Sequence, residues 1–98
     1  MRIVARAWIE VVALSEERDA ALLAECKWKQ RPVGLVELEK LQERARRVAS
    51  DLHLRRMHLA LFARAGFTPA LSRAARATGV MLVTPRDMVR SVRSRRAY

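Results

Sequence analysis

A chain of 98 residues has room for one modest domain, and 51% hydrophobic beside 31% charged residues excludes a disordered polar chain. Its net charge of +10 is unevenly spread: residues 1–43 carry seven Lys/Arg and eight Asp/Glu, whereas residues 44–98 carry thirteen Arg against Asp51 and Asp87. A single cysteine excludes an intramolecular disulfide, Arg6 and Glu10 interrupt any secretory leader, and no apolar run reaches bilayer length. A cytoplasmic protein without membrane contact is therefore expected. The basic second half suits a polyanion, because each neutralised phosphate releases a counterion. Seventeen Arg against three Lys also fits the coding bias of a GC-rich genome.

Arg2 to Leu14 is rich in β-branched and aromatic residues and predicts one strand. Ser15 to Asp19 is polar and predicts a hairpin turn. Ala20 to Trp28 predicts the second strand, apolar from Ala20 to Ala24 as in a strand covered on both faces. Pro32 and Gly34 then punctuate the chain. Leu35, Leu38, Leu41, Ala45, Val48 and Leu52 recur with helical period, so a helix is expected over Leu35–Ala49. Its opposite face would carry Glu37, Lys40, Glu43, Arg44 and Arg47, with Glu43 and Arg47 placed as an i,i+4 pair.

Met57 to Ala63 predicts a further strand. Thr68-Pro69 is a capping residue followed by proline at the first helical position, and Gly79 suits a left-handed C-terminal cap. Val80–Val83 predicts a short strand. Thr84 with Asp87 forms a variant capping box that opens a basic helix from Arg86 to about Arg93. The expected order is β-β-α-β-α-β-α, an α/β domain whose mixed sheet is flanked by helices. One domain spans residues 1–98, with a basic tail at 90–98.

Alternation along the second strand puts Glu25 and Lys27 on one face, Cys26 and Trp28 on the other. If the two strands pair as a hairpin, Glu10 converges with Glu25. Two carboxylates beside an ammonium suit Mg²⁺ or Mn²⁺ and phosphodiester hydrolysis: the ion polarises the phosphoryl oxygen, and Lys27 stabilises the developing charge. An inert Glu25–Lys27 ion pair is the competing account of the same tripeptide. Cys26 reads as a buried structural thiol, His53 and His58 as structural residues, and Trp28 as a ring packed under a helix or, alternatively, one that stacks on a base. Gln42 reads as helical surface. Lys29 and Arg31 in the following loop, and Arg90, Arg93, Arg95 and Arg96 in the tail, are candidate phosphate contacts. No Gly-rich phosphate loop is present, so the chain is not itself an ATPase.

The blocks Ile9-Glu10-Val11-Val12-Ala13 and Ala24-Glu25-Cys26-Lys27-Trp28 appear in order with Leu61-Phe62-Ala63-Arg64-Ala65-Gly66-Phe67-Thr68 and Gly79-Val80-Met81-Leu82-Val83. Together they resemble the domain at the C-terminus of a family of archaeal and bacterial P-loop ATPases, within the restriction-endonuclease-like PD-(D/E)xK superfamily. The resemblance implies a metal-dependent DNA nuclease, with Glu10 at the metal-binding aspartate, Glu25 the second ligand, Cys26 contributing only its backbone carbonyl and Lys27 the catalytic lysine. Two departures stand out: glutamate replaces the aspartate at position 10, and Trp8 stands where the pattern usually has glutamate. The superfamily core also has a helix and a strand ahead of the aspartate-bearing strand, so this chain is expected to lack both. A missing edge invites dimerisation or a partner chain. The alternative is an inactive module of the same fold that binds nucleic acid or regulates an associated P-loop ATPase.

Overall fold

The computed structural model describes residues 2–5 and 8–89, with side chains from Val12 onward. Among these residues five strands form one sheet in chain order: β1 (Arg2–Ala5), β2 (Trp8–Leu14), β3 (Ala20–Lys27), β4 (Arg56–Ala63) and β5 (Met81–Val83). Helix α1 (Leu35–Asp51) connects β3 to β4, and α2 (Pro69–Thr78) connects β4 to β5. The first three strands are antiparallel and the last three parallel, so the sheet is mixed and the domain is α/β.

The single strand expected over Arg2–Leu14 is two strands that fold back on each other. β1 pairs antiparallel with β2, Val4 opposite Glu10. The expectation that no strand precedes the Glu10-bearing strand is corrected by the same observation. Strand propensity runs through both segments, and the chain between them holds no Gly, Pro, Asn or Asp to announce a reversal.

The β2–β3 turn closes as the polar residues dictate. Ala20 N–H donates to Ser15 Oγ at 3.2 Å, and the Ser15 hydroxyl donates to Asp19 at 3.1 Å. Arg18 takes a positive φ of 59° there. At the α2 N-terminus, Leu71 N–H donates to Thr68 Oγ1 at 3.2 Å, and Gly79 closes the helix at φ 74°. Thr84 and Asp87 cap reciprocally: Thr84 N–H donates to Asp87 Oδ2 at 2.9 Å and Asp87 N–H to Thr84 Oγ1 at 3.3 Å. Residues 85–89 are helical after this cap; the rest of the expected last helix lies outside the described residues.

Both helices pack on one face of the sheet. Leu38, Leu41 and Ala45 of α1 and Leu71 and Ala75 of α2 share a core with Leu23, Leu61 and Ala63. Each fully buried leucine there contributes about 1.5–3 kcal/mol of hydrophobic stabilisation. The stripe on α1 is shorter than its periodicity implies, since Leu35 and Leu52 at its two ends are exposed. On the other face of β3, Ala20 and Ala24 are buried as expected of a strand covered on both sides, and Leu22 between them is exposed.

Candidate functional site

Strand β3 runs from an apolar start to a charged end, and the charged end is buried. Glu25 is 1% exposed and Lys27 5%. They point to the helix-covered face because they continue the alternation of Ala21 and Leu23, which the core requires inside. An isolated charge placed there would be strongly destabilising, so compensation must come from neighbours.

That compensation comes from α1. Lys27 Nζ lies 3.5 Å from Glu25 Oε2 and 3.2 Å from Glu37 Oε2. Arg44 pairs with Glu25 Oε1. Lys29 in the following loop reaches Glu37 Oε1 at 3.4 Å. Among the described side chains, two acids and three bases thus form a chain across the helix–sheet junction: Arg44, Glu25, Lys27, Glu37, Lys29. Burial pushes the Glu37 carboxyl up, but the hydrogen bond and charge of Lys27, with Lys29 behind it, outweigh burial and hold it below its ordinary value.

Glu37 and Arg44 were assigned by periodicity to the solvent face of α1. The structure corrects this: both are half-buried and border the apolar stripe on its β3 side. They sit seven positions apart, two helical turns, with Leu41 between them. That spacing of an acid and a base flanking a buried leucine is the signal by which they were identifiable.

The other carboxylate comes from β2. The antiparallel register puts Glu10 directly opposite Glu25, Trp8 opposite Lys27 and Val12 opposite Leu23. Directly opposed positions share a face of the sheet. The Glu10 side chain lies outside the described residues. Cys26 occupies the opposite face in register with Phe62, and is half-buried rather than buried.

Trp28 does not pack under a helix. It is 60% exposed, with the Arg64 guanidinium 5.8 Å from its ring centroid. Trp28 follows directly on the last residue of β3. Arg31 is exposed. His58 is exposed on β4, and exposed His53 takes the left-handed conformation, φ 54°, where α1 ends. Gln42 is half-buried on α1. Arg90, Arg93, Arg95 and Arg96 lie outside the described residues.

The donor chemistry of Glu10 and Glu25 suits a hard divalent cation, with the carbonyl of Cys26 as a further oxygen. Among the described side chains alone, no group of three His, Cys, Asp or Glu gathers as a metal site. Both Glu25 oxygens already face cations, Lys27 on one side and Arg44 on the other. Beside Arg44, a groove of about 400 Å³ runs along α1, lined by Val36, Glu39, Lys40, Glu43 and Arg47. Arg44, 30% exposed, therefore connects this groove to buried Glu25. No helix among the described residues is long and apolar enough to cross a membrane. No protein-family model, curated protein or solved structure matches this chain.

Proposed function

We propose that this chain is a nuclease-like domain of the PD-(D/E)xK type, hydrolysing DNA phosphodiesters with Mg²⁺ or Mn²⁺ held by Glu10, Glu25 and the Cys26 carbonyl. The observation that carries the reading is the β2–β3 register, which opposes Glu10 to Glu25 with Lys27 two positions further on the same face. The extra strand β1 ahead of β2 also favours it, because the resemblance calls for a strand there. The ion, when bound, polarises a phosphoryl oxygen and acidifies a water. Lys27 orients that water and stabilises charge on the phosphate. Glu37 holds the Lys27 ammonium from the helix side. An ion at Glu25 Oε1 would compete with Arg44 for that oxygen. The basic half of the chain, with Lys29, Arg31 and the tail arginines, supplies the attraction for DNA.

A second reading rests on a specific observation of its own. Glu25 is already faced by the cations Lys27 and Arg44, so its charge is offset without an ion. In that reading the domain binds nucleic acid, or a P-loop ATPase, without cleaving.

The assay is plasmid cleavage in Mg²⁺ by the purified chain, beside Lys27→Ala and Glu10→Gln, each checked for folding by circular dichroism. Cleavage lost in both folded variants supports the nuclease. Cleavage that survives in both overturns the site, and salt-sensitive DNA binding without cleavage selects the second reading.

A further inference from the structure

The carboxyl ends of the parallel strands β3 and β4 carry a feature that the hydrolytic site does not use. Trp28 directly follows Lys27, and its side chain is left largely in water although indole burial is among the larger stabilising contributions available to a small domain. The ring is nevertheless held. Arg64 N–H donates to the Lys27 carbonyl at 3.3 Å, which fixes the start of the β4 loop beside the end of β3. The Arg64 guanidinium then lies over the ring at 5.8 Å, within cation–π range.

The loops behind this pair are tied together. Val33 N–H donates to the Gly66 carbonyl and Thr68 N–H to the Val33 carbonyl, each at 2.9 Å. Val33 itself is 2% exposed, which anchors the β3–α1 loop in the core. Trp28 is thus an exposed aromatic in a loop tied down at Lys27 before it and at Val33 after it. Exposed Arg31 and Arg64 and the half-exposed Lys29 give its surroundings positive charge.

We propose that Trp28, backed by Arg64, is a stacking platform for an unpaired base of single-stranded nucleic acid, with Arg31 beside it on the phosphate path. An aromatic face with a nearby cation accepts any base, but only one whose own face is free, which a base inside a duplex does not offer. This deepens the nucleic-acid reading given above and rests on it: it names the form of the substrate, a strand unpaired at the residue next to Lys27.

The experiment uses the full chain in a Trp8→Phe background, so that Trp28 is the one fluorophore of its kind, and omits divalent metal. Short oligo(dT), oligo(rU), a duplex of equal length and inorganic polyphosphate are titrated against it. The expected result is quenching of Trp28 by the single strands and none by polyphosphate. Trp28→Ala, a surface change, should weaken single-strand binding about five- to hundredfold, read by anisotropy of labelled oligonucleotide, and Trp28→Phe should restore most of it. Unchanged affinity in Trp28→Ala, equal quenching by polyphosphate, or tighter binding of the duplex overturns the platform. The two proposals fail separately. Lys27-dependent cleavage with Trp28-independent affinity leaves the nuclease standing and removes the platform, whereas Trp28-dependent binding without cleavage does the reverse.

Discussion

Arg44 on α1 and Glu25 on β3 are paired across the helix–sheet interface, Glu25 buried to 1% and Arg44 30% exposed. The exposed end of this pair faces a groove along α1 and the buried end faces Lys27. An arginine that neutralises a buried carboxylate, and is itself reachable from solvent, stands in the position of a displaceable cation.

Arg44→Met tests that role. With metal absent, removing the guanidinium should destabilise the domain by about 1–3 kcal/mol, less than a fully buried pair because Arg44 is partly solvated and Lys27 remains. Mn²⁺ should then bind more tightly than to the parent, measured by titration calorimetry, and should recover part of the lost stability. Identical Mn²⁺ affinity in the two proteins would count against a metal site at Glu25.

Removing the carboxylate leaves two bases facing each other. Glu25→Gln should cost about 3–5 kcal/mol in denaturant unfolding, because Lys27 loses a buried acidic partner inside the interface. The double variant Glu25→Leu/Lys27→Met should cost less than the sum of the single changes, since it removes both desolvated charges together. Additive costs would show that the two groups are not coupled.

Acid should weaken the cluster from the Glu37 side. Its folded carboxyl lies below the ordinary value of 4.5, so its stabilising contribution is present in full above that value and disappears as pH falls from there through the folded value. The denaturant midpoint should drop across that range in the parent. Glu37→Gln should show a flatter acid limb, and an unaltered limb would remove Glu37 from the account.

The ends of α2 give two independent checks on the fold. Thr68→Ala deletes the acceptor for Leu71 N–H and should cost about 1 kcal/mol. Gly79→Ala meets no atom within 4 Å but must hold φ at +74°, so it should cost about 1 kcal/mol through backbone strain alone. Both are read from denaturant unfolding at equal m-value; a neutral Gly79→Ala would argue against the left-handed cap.

Much of the scaffold was legible because local chemistry and fold agree. The Ser15–Asp19 turn, the Thr68 and Gly79 caps and the Thr84–Asp87 box each follow from residues a few positions apart. Alternation also sufficed to put Glu25 and Lys27 on one face. What escaped depends on tertiary placement. The border of the α1 stripe is set by where β3 lies beneath it, so Glu37 and Arg44 looked solvated when they are partners of the buried pair. Indole hydrophobicity argues for a buried Trp28, yet its ring is largely in water. His53 fills a left-handed position that usually selects glycine, so the end of α1 gave no glycine signal.

The chain-order arrangement of the strands has a kinetic consequence. No strand has to be inserted between two others already in place, so the sheet can extend outward from the β2–β3 hairpin one neighbour at a time. That hairpin closes over the short turn at residues 15–19, where the entropic cost of loop closure is small, and it is the element that opposes Glu10 to Glu25. Arg44 and Glu37 arrive only when α1 docks. Lys27 is already on the hairpin beside Glu25 but Arg44 is not, so repulsion between the carboxylates should be only partly offset and should retard the first step. Glu10→Gln should fold faster than the parent in stopped-flow refolding at low salt, with the difference vanishing as salt screens the pair.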